Sequence, residues 1–320
     1  MSSRVLIPTM VLLVLCVGGG AGWVSAENSV VAWGENDDYF RQCEVPAPNE
    51  DFIAIAAGGS HSLGLKSDGS IVTWGGDLSL LGNIPSPNSG FVAVSAGWTW
   101  SLGLKADGSI VAWGGNWNGQ CDVTEPNTGF IALSAGAGGH SLGLTADGSV
   151  VAWGLNSCGQ CNVPEPNIGF IAISAGELHS LGLKSDGSVV SWGWNGFGQC
   201  NVPEPNTGFV AISAGEYHNI ALKSDGSLVL WGDNRRGQCD VPPPNTGFVA
   251  VSAGYVHSLG LKADGSIAAW GYNDYGECNA PAPNVGFVGV SAGAYHSLGL
   301  SSSGGSTEPC TWGAIKALFK

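Results

Sequence analysis

Apolar and polar positions recur along the chain with a period of about 39 residues. The dipeptide Trp-Gly marks this period, and within residues 29–303 it begins at Trp33, Trp74, Trp113, Trp153, Trp192, Trp231 and Trp270. A unit of roughly 40 residues in seven copies is typical of a propeller, a solenoid or an array of repeats.

Within one period, short apolar runs alternate with turn signals. "FVAISAG" and "HSLGLK" are followed by "SDGS", where Asp-Gly suits a hairpin turn, and then by a third run such as "SIVAWG". A polar loop leads to a short fourth run, "CNVP", and "PEPNTG" returns the chain to the next copy. No stretch has a helical period. The pattern predicts an all-β fold, a seven-bladed β-propeller of four-stranded antiparallel blades.

The two ends of the chain supply complementary parts of one repeat. The first copy starts in mid-repeat, at "SVVAWG" (residues 29–34), and the last stops early, at "HSLGLSSSG" (residues 296–304). We therefore expect the last blade to be closed by N- and C-terminal strands together, because such closure leaves no free sheet edge. The predicted propeller spans residues 29–303.

The template "SAGxxHSLGLKxDGSxxxWGxNxxGQ" resembles the repeat of the regulator of chromosome condensation family, and the resemblance covers almost all of residues 29–303. The resemblance implies a propeller, but one fold hosts many functions. The founding member binds chromatin and drives nucleotide exchange on a small GTPase, which requires a basic surface and a nuclear location. The chain more closely resembles secreted bacterial relatives, including a seven-bladed inhibitor of β-lactamases, which bind a protein across one face of the disc. We expect no exchange activity.

Composition narrows the classes of partner. The 320 residues are 44% hydrophobic and 11% charged, with a formal net charge of −14. Arg235 and Arg236 form the only basic pair, so the sequence encodes no basic patch. We therefore expect neither nucleic acid nor an anionic membrane as a partner.

Residues 1–26 have the features of a signal peptide. Arg4 precedes an apolar stretch, and Val24, Ser25 and Ala26 form a small-residue cleavage site. The apolar stretch is too short for a good membrane span, although an anchoring helix or lipidation at Cys16 are alternatives. We expect a monomer that is secreted, periplasmic or on the cell surface, with no membrane span after signal cleavage.

Two sets of repeated residues invite a metal or redox interpretation. The histidines share one position, where Trp100 replaces the seventh: His61, His140, His179, His218, His257 and His296. Seven-fold related positions spread apart, whereas metal ligands converge within about 2.1 Å of one ion. We therefore expect each histidine to satisfy backbone groups in its own blade, and we expect no metal and no cofactor.

The cysteines also share one position: Cys43, Cys121, Cys161, Cys200, Cys239 and Cys278. The cysteine follows the third strand, well away from the propeller axis, so the Cα atoms of neighbouring copies are farther apart than the roughly 7 Å that a disulfide allows. We therefore expect these cysteines to be small buried hydrophobes. Cys158 adds a C-x-x-C with Cys161, so a redox role there is an alternative, and Cys310 lies in the tail. The repeated Asp and Asn suit turns, and without a catalytic constellation we expect no enzyme.

The copies differ mainly at two places, the residues after "AG" and the loop after "WG". In an antiparallel meander both places lie on one face of the disc, and Trp, Tyr and Arg are the usual anchors of interfaces. The candidate partner-binding residues are Tyr39, Trp98, Trp100, Trp117, Glu177, Trp194, Phe197, Glu216, Tyr217, Arg235, Arg236, Tyr255, Tyr272, Tyr275 and Tyr295.

This face predicts a binding module for a protein partner, such as an inhibitor or an adhesin. A carbohydrate-binding propeller is one alternative, with a sugar stacked on an aromatic ring in each blade. A structural envelope protein without a ligand is another, as is repeat drift, in which the aromatics merely cover neighbouring loops. Because the residues differ from blade to blade, one large asymmetric partner is favoured.

The tail, residues 304–320, departs from the repeat. Trp312, Ile315, Leu318 and Phe319 have helical spacing, but a free helix of this length is marginal. Deleting residues 306–320 should leave the fold intact if the ends close one blade. The measurement is thermal unfolding of the truncated protein, and loss of a cooperative transition would show that the tail completes a blade.

Overall fold

Seven antiparallel sheets follow one another along the computed structural model, which describes residues 28–302. The predicted signal peptide (1–26) and tail (304–320), with Cys16 and Cys310, lie outside this range. The elements are β1 (Asn28–Gly34), β2 (Phe52–Ala57), β3 (His61–Lys66), β4 (Ile71–Gly75), α1 (Leu78–Leu81), β5 (Phe91–Ala96), β6 (Trp100–Lys105), β7 (Ile110–Gly114), β8 (Phe130–Ala135), β9 (His140–Thr145), β10 (Val150–Gly154), β11 (Phe170–Ala175), β12 (His179–Lys184), β13 (Val189–Gly193), β14 (Phe209–Ala214), β15 (His218–Lys223), β16 (Leu228–Gly232), β17 (Phe248–Ala253), β18 (His257–Lys262), β19 (Ile267–Gly271), β20 (Phe287–Ala292) and β21 (His296–Ser302). No helix within residues 28–302 is long and apolar enough to cross a membrane.

The predicted propeller and its closure are confirmed. Blade 1 contains β2, β3 and β4, and each following blade contains the next three strands, up to blade 6 with β17, β18 and β19. Blade 7 contains β20 and β21 from the C-terminal end and β1 from the N-terminal end. β1 pairs with β21 over its whole length, from Asn28 opposite Ser302 to Gly34 opposite His296.

The predicted fourth strand is wrong, because each sheet has three strands. The segment after the third strand is rich in proline, which cannot donate a ladder hydrogen bond. A side chain holds it instead. In blade 4 the Asn206 amide bonds both backbone groups of Val189, with Oδ1 accepting from the N–H (2.8 Å) and Nδ2 donating to the carbonyl (2.9 Å).

The apolar core lies between the blades. One cluster joins Leu181 and Leu183 of blade 4 to Phe209 and Trp231 of blade 5, and all four side chains are buried. Equivalent clusters recur around the disc. A single blade therefore cannot bury its own apolar faces, and the stability of each blade depends on both neighbours.

The repeated histidines connect neighbouring blades, so the expectation that each satisfies its own blade is wrong. His218 Nε2 lies 3.0 Å from the Ser258 hydroxyl of the next blade, and that hydroxyl donates to the Gln238 carbonyl (2.8 Å). Trp270 Nε1 donates to the same carbonyl (3.0 Å). Because Ser258 uses its only proton on the carbonyl, His218 Nε2 must be the donor to the hydroxyl. The other five links are His61–Ser101, His140–Ser180, His179–Asn219, His257–Ser297 and His296–Ser62.

Trp100 occupies the histidine position of blade 2, and its assignment to the partner-binding face is wrong. The side chain is only 2% exposed, and its indole Nε1 has no hydrogen-bond partner. The ring packs so closely on Gly97 that a Cβ there would lie 2.4 Å from it. Trp100 is therefore a core residue at the junction of blades 2 and 3.

Asn219 tests the inter-blade link, because it replaces the serine found at the other junctions. Its Oδ1 accepts from His179 Nε2 (2.7 Å) and its Nδ2 donates to the Gln199 carbonyl (2.8 Å). Asn219→Ala should cost about 2 kcal/mol of unfolding free energy, because His179 loses its buried acceptor. Asn219→Ser should cost less, because a hydroxyl performs both functions elsewhere. Chemical denaturation of both variants is the measurement, and equal losses would contradict the link.

Burial of the histidine rings also makes the stability of the fold sensitive to acid. Burial lowers the pKa of His61 from 6.5 to about 4, and burial together with neighbouring histidines lowers that of His218 to about 3. The unfolded chain therefore binds protons between about pH 6.5 and pH 4 that the folded chain does not bind. Their contribution to stability is complete above pH 6.5 and is lost as the pH falls through this window.

The denaturant midpoint should accordingly fall between about pH 7 and about pH 4, and the slope should be shallower in His218→Gln, which removes one titrating ring. The raised pKa values of Glu35, Glu216 and Glu277 act in the opposite direction, but these are three groups against six. A midpoint that stays constant over this range would show that the folded rings accept protons.

Candidate partner-binding face

In six of the seven blades the two variable segments are hydrogen-bonded to each other, and in blade 1 the Gly76 N–H donates instead to the Phe40 carbonyl (2.7 Å). The first residue after "WG" donates to the residue before the histidine, as in Trp194 N–H to the Leu178 carbonyl (2.9 Å) and Asp233 N–H to the Tyr217 carbonyl (2.8 Å). Both segments therefore lie on one face, which we call the loop face. The Asp-Gly turns contact the Pro-Asn connectors, as in Phe209 N–H to the Gly187 carbonyl (3.0 Å), and form the opposite turn face.

The cations are divided between these faces. All five lysines among residues 28–302 lie on the turn face, where the template position places them next to the Asp-Gly turn. Lys66 Nζ donates to the connector carbonyls of Pro48 (3.0 Å) and Glu50 (2.6 Å), and Lys184 Nζ lies 3.5 Å from the ring centroid of Phe170. The repeated lysine therefore stabilises the scaffold, and arginines are the only cations of the loop face.

A first aromatic cluster lies on blades 4 and 5. The rings of Trp194, Phe197 and Tyr217 have centroids 4.9–5.3 Å apart. The Arg235 guanidinium lies 4.1 Å from the Phe197 centroid and is held by Asp233 at 2.8 Å. Burial tends to raise the pKa of Asp233, but hydrogen bonds and charge from Arg235 outweigh it and lower that pKa. Asp233 was not among the predicted site residues, although it stands directly after "WG", where other blades have other residue types.

A second aromatic cluster lies on blades 6 and 7 and is centred on Tyr295. Its ring centroid is 5.7 Å from that of Tyr255, 6.0 Å from that of Tyr272 and 5.4 Å from that of Tyr275. Arg236 covers Tyr272 at 5.3 Å. Stacking of this kind fixes the rings in place before any partner binds.

The remaining predicted aromatics are more isolated. Tyr39 is 76% exposed and contacts Phe40, and Trp117 is 73% exposed and lies over Gly115. Trp98 is 37% exposed and lies over Gly59, and its ring reaches Tyr255 at a centroid distance of 5.4 Å. The structure thus places fourteen of the fifteen predicted residues on the loop face, all but Trp100.

A cavity of about 80 Å³ lies on the axis of the disc. The alanines and glycines of the "AG" dipeptides line it, and Trp98, Glu216 and Tyr255 stand at its loop-face mouth. Backbone hydrogen bonds join adjacent blades around it, including Glu216 N–H to the Gly254 carbonyl (3.2 Å) and Tyr255 N–H to the Gly293 carbonyl (3.1 Å). These bonds hold the mouth rigidly.

Two carboxyl groups of neighbouring blades meet at this mouth. Burial raises the pKa of Glu216 well above its ordinary value, and the charge of Glu177 raises it further, while hydrogen bonding to Tyr255 partly opposes this. Burial and the same carboxyl groups also raise the pKa values of Tyr217 and Tyr255. The mouth therefore combines aromatic rings with closely spaced acidic groups.

The cysteine position contains free thiols that are partly buried, and the same holds for Cys158. In blade 4 the Cys200 thiol donates to the Trp194 carbonyl (3.3 Å), and its backbone N–H donates to Asn195 Oδ1 (2.8 Å). Burial raises the pKa of Cys161 to about 11, which disfavours the thiolate of the C-x-x-C template position at neutral pH. Through these hydrogen bonds the repeated cysteines stabilise the loops that follow the third strands.

Comparison with known proteins identifies the repeat. The model of the regulator of chromosome condensation (RCC1) repeat matches residues 52–78, 130–160, 170–199, 209–238 and 248–277. Blades 2 and 7 are outside these matches; blade 2 has Trp98 and Trp100 at template positions, and blade 7 is divided between the two ends of the chain. No curated protein matches the sequence significantly.

Similar solved structures are propellers from several organisms. Prp20p from Saccharomyces cerevisiae is 20% identical, with a TM-score of 0.72 covering 91% of this chain and 95% of that chain, and its structure was described together with its binding to Gsp1p and histones. The CRINKLY WD40 ectodomain of the Arabidopsis thaliana receptor kinase ACR4 is 26% identical, with a TM-score of 0.63 covering 78% and 91%. Human WBSCR16 is 16% identical, with a TM-score of 0.64 covering 86% and 99%.

Proposed function

Because the chain is a propeller of RCC1 repeats, we propose that it is a binding module that engages one protein partner through its loop face. The features of a signal peptide in residues 1–26 support a location outside the cytoplasm. The acidic charge and the scaffold role of the lysines support a function other than nucleotide exchange or nucleic-acid binding. The binding of Gsp1p and histones by Prp20p supports the use of this fold for protein recognition.

The observation that carries this proposal is the distribution of aromatic side chains on the loop face. Two rigid clusters occupy blades 4–5 and 6–7, and Tyr39 and Trp117 are more than 70% exposed outside them. Exposed aromatics at this density mark a surface that another molecule covers, and Tyr, Trp and Arg are the side chains that anchor protein interfaces.

The arrangement favours a protein over a glycan. Repeated sugar sites would present the same ring in every blade, whereas the first residue after "AG" differs among blades: Gly59, Trp98, Ala137, Glu177, Glu216, Tyr255 and Ala294. Drift alone explains the rings that cover neighbouring glycines, such as Trp98 over Gly59 and Trp117 over Gly115. It does not explain side chains as exposed as Tyr39 and Tyr275.

Affinity capture from the secreted and envelope fractions of the producing organism tests this function. The loop-face bait carries Tyr39→Ala, Trp117→Ala and Tyr275→Ala, three side chains 49–76% exposed whose loss leaves the core unchanged. The matched control is the turn-face variant Ile168→Ala with Val285→Ala, which removes side chains 62% and 59% exposed.

We expect one protein to bind the native chain and the turn-face variant and to be lost from the loop-face variant. Titration of the purified partner should then show an affinity loss of at least about tenfold, the effect of one interface anchor. Equal capture by all three baits would argue against a loop-face partner. Selective retention of glycans would favour the carbohydrate-binding alternative.

A further inference from the structure

We propose that the axial mouth, formed by Trp98, Glu177, Glu216 and Tyr255, binds the side chain of an arginine that the protein partner inserts along the axis. The existence of a partner rests on the proposed function, but the recognition chemistry is a property of this chain alone. The mouth differs from the rest of the loop face because it combines a cavity, paired carboxyl groups and two adjacent, tilted rings.

The cavity is large enough for the end group of one side chain but too small for a typical small-molecule ligand. About 80 Å³ is well below the roughly 300 Å³ from which small-molecule pockets begin. Gly59, Ala137 and Ala294 present small side chains at three of the seven positions around the axis, so the cavity stays open between the larger residues. A guanidinium fits such a space, whereas a nucleotide or a sugar ring does not.

The charges at the mouth lack a counter-ion among the described residues. The Glu177 and Glu216 carboxyl groups repel each other, and Glu177 Oε2 is shielded from solvent without a hydrogen-bond partner. Arg235 is within electrostatic range of Glu216, but both oxygens of Asp233 hold its guanidinium, at 2.8 and 3.0 Å.

The other loop-face cations are also engaged. Arg41 pairs with Glu44 at 3.8 Å, and Arg236 covers Tyr272. An incoming cation would therefore meet two carboxyl groups that no basic side chain of residues 28–302 pairs with, and its charge would favour release of the proton that the raised pKa retains on Glu216. The net charge of −14 adds long-range attraction for a basic partner segment.

The rings favour arginine over lysine. Trp98 and Tyr255 approach each other at 5.4 Å beside the acidic pair. A guanidinium can stack on such rings while its planar fork donates to carboxylates, whereas an ammonium offers a compact and strongly hydrated charge. The same geometry suits an arginine on a protruding loop, because the axis is the centre of the loop face.

The test uses the whole chain and a probe that needs no partner. N-acetyl-arginine amide is titrated and followed by isothermal calorimetry and by the indole N–H resonance of Trp98, assigned with Trp98→Phe. N-acetyl-citrulline amide, which has the same shape without the charge, should bind at least about tenfold more weakly, the loss expected for charge-assisted hydrogen bonds. N-acetyl-lysine amide should also bind more weakly than the arginine probe.

Glu177→Gln and Glu216→Gln, which preserve shape, should each weaken arginine binding about tenfold. Glu50→Gln, which removes one charge from the turn face, should not. Unchanged melting temperatures would show that the variants are folded. Equal binding of arginine and citrulline, tighter binding of lysine, or full affinity in both mouth variants would overturn the arginine assignment. If the loop-face variant still loses a captured protein in that case, the proposed function stands and only this inference falls.

Discussion

The fold depends on one buried carbonyl at each junction between blades. In blade 5 the Gln238 carbonyl accepts from both Ser258 and Trp270 of the next blade, and Ser258 in turn accepts from His218. Four residues from two blades thus join one hydrogen-bond network in a place that water does not reach. Any one of them left alone would carry the cost of an unpaired buried polar group. Neighbouring blades are therefore held at a fixed angle, and the ring can close on itself.

This constraint explains which parts of the sequence can vary. The His and Gln positions bond the next blade and the Ser and Trp positions bond the previous one, while the repeated lysine bonds the connector of the turn face. The segments after "AG" and "WG" use mainly backbone groups to bond each other, as Asp233 and Tyr217 do, so their side chains remain free. Variation on the loop face leaves the junctions intact, and this makes it the natural place for recognition.

Much of the architecture could be predicted from the sequence, because the period, the Asp-Gly turns and the split repeat each follow from local rules. The errors arose where a structural feature depends on contacts between blades, which the sequence of a single repeat does not contain. Periodicity shows that His218 is buried but cannot show that its partner, Ser258, belongs to the next blade. It also cannot show that Trp100, the first residue of β6, is buried in the core while Trp98, in the loop before that strand, remains partly exposed on the loop face. The prediction of a fourth strand was wrong because the prolines of that segment have no backbone N–H to donate to a neighbouring strand.

The residues of the axial mouth could be predicted from the sequence as members of the loop face, but their grouping into one site could not. Glu177 and Glu216 are 39 positions apart, as are Glu216 and Tyr255, and the propeller turns that spacing into adjacency around the axis. Bringing two carboxyl groups together beside a shielded cavity opposes their ionisation, which the raised pKa of Glu216 records. The scaffold tolerates this cost because the junctions that determine its stability lie elsewhere in the blades. An arrangement that opposes its own charge is typical of a binding site whose counter-charge arrives with the partner.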